Sequence, residues 1–174
     1  KHNKFYFTVE PLPDSVYLTI KEGKVPEGRI KKKNLEIREA LVQAGMDRDE
    51  ADQVKDIYNG NIFLDKTRGQ VHLGEVLEMV FDMFEEVMRK GPLVREPCVA
   101  IKVNLTDMSL HEDSIHRGPA QVYPAIREGI RGAMITAGPI LLEPLQVQLI
   151  EAPVEYTGEV SKLVSSLRGQ MLDV

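Results

Sequence analysis

Cysteine is almost absent from these 174 residues, since Cys98 is the single example. One cysteine excludes an intramolecular disulfide framework and suits a reducing compartment. Apolar runs are short as well, and none approaches the roughly 20 residues that a membrane-spanning helix needs. The start of the chain also lacks the charged and then apolar pattern of a secretion signal. The sequence therefore predicts a cytoplasmic protein without a membrane span.

Basic charge is also scarce, because 22 Lys and Arg face 27 Asp and Glu and the formal net charge is -5. Taken as one number, this balance argues against a nucleic-acid-binding protein. The charge is uneven, however: residues 1–38 contain nine basic and five acidic side chains. The acidic excess lies in the middle of the chain, where helical patterns dominate. Hydrophobic residues at 43% and charged residues at 28% are typical of a globular protein.

Both ends of the sequence look cut. The chain opens at Lys1 rather than Met and proceeds directly into an aromatic, β-branched run over residues 5–9 that predicts a strand. It closes on residues 169–174, where a second strand pattern begins. We therefore expect a piece of a longer protein, large enough for one ordinary domain or two small ones.

Hydrophobic periodicity predicts an α+β architecture. Asp47, with Glu50 three residues later, resembles a capping box. The basic stretch at residues 29–33 predicts a solvated helix start. Apolar residues at helical spacing predict helices over residues 37–44, 51–57, 73–88, 122–137 and 160–167. Alternating residues predict further strands over residues 99–105 and 145–149.

Three kinds of catalytic or ligand site are tested and set aside. Residues 60–67 nearly spell a phosphate-binding loop, but Asp65 replaces the second glycine and would repel a phosphate. His111 and His116 are one residue too far apart for a helical zinc motif, and no third ligand is evident. Neighbouring serines and histidines are weak evidence for catalysis, because triads join distant elements. We therefore expect no metal, no cofactor and no enzymatic activity in this chain.

The polar loop over residues 110–119 is the remaining candidate site. It follows a predicted strand and precedes a predicted helix, with Gly118 free to take an unusual backbone conformation and Pro119 in the first helical turn. Two imidazoles and Arg117 at a helix N-terminus could contact RNA phosphates and stack in a groove. On these grounds alone, a polar turn without any partner is equally compatible.

The loop carries a resemblance to a known family. Residues 107–121, Asp-Met-Ser-Leu-His-Glu-Asp-Ser-Ile-His-Arg-Gly-Pro-Ala-Gln, resemble the diphthamide loop of the elongation factor 2 family of ribosomal translocases, in its archaeal form. Other stretches are similar to the same family in the same order: residues 1–4, 56–61, 67–69, and 142–144 with Val147 and Leu149.

The resemblance implies a division of the chain. Residues 1–143 would be a ribosomal-protein-like β/α domain, corresponding to domain IV of the family. Residues 144–174 would begin domain V as a truncated, ferredoxin-like β-α-β unit.

The resemblance also implies a function. His116 matches the histidine that is converted to diphthamide and is the target of ADP-ribosylating toxins. The expected partners are the ribosomal decoding centre, tRNA, mRNA and the diphthamide biosynthesis enzymes. GTP and Mg²⁺ would bind an upstream domain, and the fragment would be a monomer. The RNA-contacting tip would contain Lys1, His2, Asn3, His111, Arg117 and Gly118. A stand-alone RNA-binding or interaction domain that shares the fold, without a GTPase, is the alternative.

Overall fold

A computed structural model describes residues 3–67 and 73–173 of the chain. The chain divides into two compact units, with the boundary between residues 141 and 142 of the sequence. The elements of the first unit, in chain order, are β1 (Lys4–Pro11), α1 (Asp14–Lys21), β2 (Gly28–Arg29), α2 (Leu35–Gln43), α3 (Arg48–Gln53), β3 (Val54–Tyr58), β4 (Asn61–Asp65), α4 (Leu73–Arg89), β5 (Ile101–Ser109) and α5 (Pro119–Thr136).

The first unit is built on a five-stranded sheet with the strand order β1-β5-β4-β3-β2. β4 and β5 pair in parallel, with α4 between them in the chain, and the other neighbours pair antiparallel. β4 is the central strand, and Ile62, Phe63 and Leu64 are all fully buried. Such a continuous apolar run is expected of a strand that is covered on both faces.

Alternation along β4 divides the interior into two apolar layers. Phe63 packs with α4, α5 and one face of β1 and β5. Ile62 and Leu64 point the other way and pack with α1, α2 and α3. The result is a mixed α+β unit, as the sequence predicts, and the structure adds that a helical layer covers each face of the sheet. The ribosomal-protein-like description of this unit stays a prediction.

Most of the predicted helices are confirmed, and so is one predicted cap. The Asp47 Oδ1 atom accepts hydrogen bonds from the backbone N–H groups of Asp49 and Glu50 at 2.9 and 3.1 Å. In the described part of the chain, the Glu50 carboxylate does not accept the reciprocal hydrogen bond from the backbone N–H of Asp47 that a capping box would have. Its carboxylate instead binds Lys66 and Lys102. The eight-residue helix α1, which packs Val16 and Ile20 inward, was not predicted.

The predicted helix over residues 51–57 is wrong in its second half. α3 ends at Gln53, and residues 54–58 form strand β3, which pairs antiparallel with β4. Asn59 and Gly60 turn the chain between them with φ angles of 49° and 73°, the conformation that favours a tight hairpin. The buried Asn61 side chain then bonds four backbone groups, those of Tyr58, Asn59, Cys98 and Ile101.

The prediction of a solvated helix start at residues 29–33 is also wrong at its first residue. Arg29 lies in strand β2, and its guanidinium binds three carboxylates of α4, those of Glu78, Asp82 and Glu85, at 2.7–2.8 Å. The helix that follows begins only at Leu35, where the Asn34 side chain caps it. The basic stretch therefore connects the edge of the sheet to an acidic helix face.

The second unit contains a helix but no strand among residues 142–173. Helix α6 (Thr157–Ser166) confirms the predicted helix, whereas residues 145–149 are not paired as a strand. An alternating segment becomes a strand only when its backbone groups find a partner strand, and these described residues offer none. The β-α-β unit predicted here is therefore observed only as its helix, and its assignment to domain V stays a prediction.

Candidate functional site

The histidine loop, residues 110–118, connects the end of β5 to the start of α5. Ser109 at the end of β5 pairs with Lys4 at the start of β1, so Asn3 lies directly beside the loop. Three elements therefore converge here, because the first turn of α4 also reaches the loop through Glu75. Lys1 and His2, which were predicted at this tip, lie outside the described residues, as do Arg68 and Gly69 of the resemblance.

Asn3 joins β1 to both ends of the loop with its side-chain amide. Its Nδ2 donates a hydrogen bond to the backbone carbonyl of His116 at 2.8 Å. Its Oδ1 accepts one from the backbone N–H of His111 at 3.0 Å. These partners lie more than a hundred residues away in the sequence, and no local pattern announces them.

The apex of the loop is organised by Asp113. Its Oδ1 accepts a hydrogen bond from the N–H of Ile115 at 3.1 Å and caps a single 3₁₀ turn, Ser114–His116. Its own N–H donates to Nδ1 of His111 at 3.1 Å. The rings of His111 and His116 pack edge to face, with centroids 4.5 Å apart. The two predicted histidines therefore contact each other.

Arg117 points into the protein rather than away from it. Its side chain is 9% exposed, and its Nη2 forms an ion pair with Glu75 at 2.9 Å. Its Nη1 donates hydrogen bonds to the carbonyl oxygens of His111 and Glu112 at 3.1 and 3.3 Å. In this conformation Arg117 stabilises the loop from within, and only a small part of it is available to a partner.

Gly118 is the N-cap of α5, with Pro119 in the first turn as predicted. Gly118 does not use the conformational freedom of glycine, because its φ of -74° is ordinary for any residue. An added Cβ would meet the side-chain oxygen of Gln121 at 3.3 Å, so space rather than conformation limits this position.

The exposed surface of the loop consists of residues 112–116. The His116 side chain is exposed, and Ile115 beside it is 72% exposed. Glu112 and Asp113 are exposed carboxylates, whereas Arg117 is not exposed. Sequence reasoning missed Ile115, although a lone large apolar residue inside a polar loop is a signal for it. It also missed Glu75, for which the loop sequence holds no signal.

Other candidate sites receive no support from the described residues. The near phosphate-binding loop at residues 60–67 forms the end of the hairpin and the buried strand β4. Across residues 3–67 and 73–173, no three side chains of His, Cys, Asp or Glu are placed to hold a metal ion. Burial raises the pKa of the Cys98 thiol to about 11, so it is a packed core residue rather than a reactive one. None of the helices in the described part of the chain is long and apolar enough to cross a membrane.

Comparison with known families identifies the class of domain. The family model described as "Elongation factor G, domain IV" matches residues 23–138, which include β2 to β5 and the whole histidine loop. The chain belongs to this family of translation-factor domains.

Comparison with curated proteins adds the particular relatives. The chain is 51% identical over 174 residues to Elongation factor 2 of Pyrococcus furiosus. It is 51% identical over 178 residues to that of Nanoarchaeum equitans and 49% identical over 174 residues to that of Thermococcus onnurineus. Each alignment covers 100% of this chain and 24% of the relative, so the chain spans about a quarter of their length. The resemblance to archaeal elongation factor 2 is confirmed, and the stand-alone alternative is not favoured.

Proposed function

We propose that this chain supplies the domain of a ribosomal translocase that enters the decoding centre, and that His116 is its diphthamide site. The observation that carries the proposal is the loop itself. Its backbone is anchored through Asn3 and Arg117, while the His116 side chain remains exposed at the apex. A residue that an enzyme modifies and that then contacts RNA needs this combination of fixed backbone and accessible ring.

The negative charge at the apex of the loop supplies a physical reason for modifying His116. Glu112 and Asp113 are exposed there, and carboxylates repel RNA phosphates. Addition of a group with a cationic ammonium to His116 would offset this repulsion at the point of contact. His111, Gly118 and the predicted residues Lys1 and His2 complete the proposed tip. GTP and Mg²⁺ would bind a part of the parent protein outside this chain.

The partners follow from the same proposal. The decoding-centre RNA, tRNA and mRNA would contact the tip, and the diphthamide biosynthesis enzymes would act on His116. ADP-ribosylating toxins would recognise the modified residue. A monomeric fragment in the cytoplasm stays a prediction.

The modification of His116 is the first testable prediction. The archaeal enzyme that begins diphthamide synthesis would move the aminocarboxypropyl group of S-adenosylmethionine to an imidazole carbon. A C–S bond breaks, a C–C bond forms, methylthioadenosine leaves and the ring C–H gives up a proton, so the step consumes no net electrons. We expect the peptide that contains His116 to gain the mass of this group in place of one hydrogen.

Two variants serve as controls, one at His116 itself and one at the neighbouring His111. His116→Gln should abolish the mass gain, whereas His111→Gln should retain a gain located at His116 by fragmentation of the peptide. An unmodified wild-type peptide, with an enzyme that modifies a known elongation factor 2 in parallel, would contradict the proposed function.

A further inference from the structure

Two residues that the resemblance predicts as RNA contacts, Asn3 and Arg117, bind groups of the protein itself. Both ends of the Asn3 amide are engaged, one with His116 and one with His111. The terminal nitrogens of Arg117 are engaged with two backbone carbonyls and with Glu75. Hydrogen bonds already made within the protein must be broken before these groups can bind RNA, which lowers the gain from such contacts.

The two side chains converge on the backbone of one residue, His111. Asn3 accepts the N–H of His111, and Arg117 donates to the carbonyl oxygen of the same residue. Asn3 directly precedes β1 in the chain, and Arg117 binds the first turn of α4 through its ion pair with Glu75. The start of the loop is thereby held by two elements that are distant in the sequence, β1 and α4.

The same pair also fixes the backbone of the residue that would be modified. Asn3 Nδ2 holds the His116 carbonyl at 2.8 Å, and Arg117 follows His116 directly in the sequence. The ring of His116 contacts the ring of His111, whose backbone is held at both its N–H and its carbonyl. The direction in which the His116 ring points is therefore coupled to both Asn3 and Arg117.

We propose that Asn3 and Arg117 are positioning residues, which hold the His116 imidazole in the conformation that the modifying enzyme accepts. This inference rests on the proposed function and deepens it. When a binding-competent conformation is only partly populated, the apparent affinity falls by that fraction, while the bound complex is unchanged. Loss of either residue should therefore raise the KM of the enzyme for this chain and leave kcat nearly unchanged.

The test measures modification kinetics with the full chain as substrate. We expect Asn3→Ala and Arg117→Lys each to raise KM by about tenfold with kcat within about twofold, as a loop that is competent one-tenth of the time requires. Lys can still pair with Glu75, but it lacks the fork that reaches the carbonyls of His111 and Glu112 as well.

The matched control is Arg127→Lys. Arg127 of α5 binds α4 through two contacts with Glu86 at 2.7 and 3.2 Å, as Arg117 of the loop binds α4 through Glu75, but Arg127 makes no described contact with the loop. Its substitution should lower the stability of the fold and leave KM at the wild-type value. A change in KM in this control would show that general destabilisation causes the effect, and it would overturn the inference.

Asn3→Asp separates the two hydrogen bonds of Asn3. Aspartate keeps the oxygen that accepts from the His111 N–H, but it cannot donate to the His116 carbonyl. We expect KM to rise as in Asn3→Ala, while amide hydrogen exchange at His111 stays as slow as in the wild type. In Asn3→Ala both should change, with faster exchange at His111 and unchanged exchange in β5.

The outcomes separate the inference from the function on which it rests. A wild-type chain that is not modified overturns both. A modified wild type with unchanged KM in Asn3→Ala and Arg117→Lys overturns only the inference. A loss of kcat at constant KM in these variants also overturns the inference. Wild-type modification kinetics together with weaker ribosome binding overturns it as well, because Asn3 and Arg117 would then act as RNA contacts.

Discussion

Asp56 is a carboxyl group buried in the interior of the first unit. It lies on β3 opposite Arg29 of β2, and it is 0% exposed. Within the described part of the chain, neither of its carboxylate oxygens accepts a hydrogen bond. Burial, and next the neighbouring Glu85 carboxylate, raises the pKa of Asp56 from 3.8 to about 8. At neutral pH this side chain is therefore protonated in the folded protein.

The raised pKa makes stability depend on pH in a defined direction. Between pH 4 and pH 8 the unfolded chain releases the Asp56 proton and the folded chain retains it. The contribution of protonated Asp56 to the unfolding free energy is fully present below pH 4, falls as the pH rises from 4 to 8, and is lost above pH 8. Because neutral Asn has the same shape, Asp56→Asn should remove this dependence.

We expect Asp56→Asn to become more stable than the wild type as the pH rises from 4 to 8. The difference in unfolding free energy should be on the order of a few kcal/mol at pH 8. Urea titrations at pH 4, 6 and 8 measure the difference. Asp49→Asn, at an exposed position in α3, is the matched control and should follow the wild type. Parallel curves for Asp56→Asn and wild type would show that Asp56 is ionised in the folded state.

At the scale of elements, the hairpin between β3 and β4 shows where local patterns mislead. Ala51, Val54 and Ile57 recur every three residues, which predicts a helix. The same Val and Ile are β-branched and fit a strand equally well. The positive φ angles at Asn59 and Gly60 decide for the hairpin, because the turn returns the chain alongside residues 61–65 and supplies a partner strand.

Gly60 is the position in this hairpin that tolerates substitution least. Its φ is 73°, and an added Cβ would lie 2.6 Å from Cε2 of Tyr17. Gly138, after α5, has the same φ of 73° but nothing within 4 Å of an added Cβ. The two glycines therefore share the backbone strain and differ in the steric contact.

We expect Gly138→Ala to cost about 1 kcal/mol of unfolding free energy, from the left-handed backbone alone. Gly60→Ala should cost about 1–3 kcal/mol more, since Tyr17 must move or strain. Chemical denaturation of both variants measures the difference. Addition of Tyr17→Ala should recover part of the extra cost, and equal costs in the two single variants would exclude the clash.

At the scale of the whole molecule, the distribution of charge changes meaning once the chain is folded. The sequence separates a basic start from an acidic middle, and that separation favours a narrow RNA-contacting tip on an otherwise acidic body. In the structure, helix α4 collects the cations: Arg29, Arg117 and Arg127 all bind its carboxylates. Part of the basic charge is therefore neutralised within the protein, and the apex of the loop carries exposed carboxylates.

The two units differ in how they bury apolar residues. The first unit encloses two continuous apolar layers on its sheet. In the second unit, Leu145, Val147 and Leu149 are 95%, 85% and 90% exposed. A segment without hydrogen-bonded neighbours or apolar cover has low local stability.

We expect this difference to appear in amide hydrogen exchange of the full chain. Amides of residues 142–153 should exchange near the unprotected rate, and those of β4 and β5 should exchange orders of magnitude more slowly, only through global unfolding. Mass spectrometry of peptides after exchange measures both. Slow exchange over residues 142–153 would show that this segment is paired in solution.

Several features of this protein are determined by the sequence itself. The stripe of α4, the cap at Asp47, the stop of α5 at Gly138 and the identity of the histidine loop are all local, and the structure contains each of them. Local features are readable because a helix stripe or a cap involves residues only a few positions apart.

Other features were decided only by the tertiary structure. The assignment of residues 54–58 to a strand required β4, and the pairing of Asn3 with His116 joins residues 113 positions apart. The inward direction of Arg117 depends on Glu75 in a different element. Hydrogen bonds and ion pairs form between groups that the fold brings within about 3 Å, and sequence distance does not encode that proximity. The sequence therefore identified the loop, and the fold decided which of its side chains face outward.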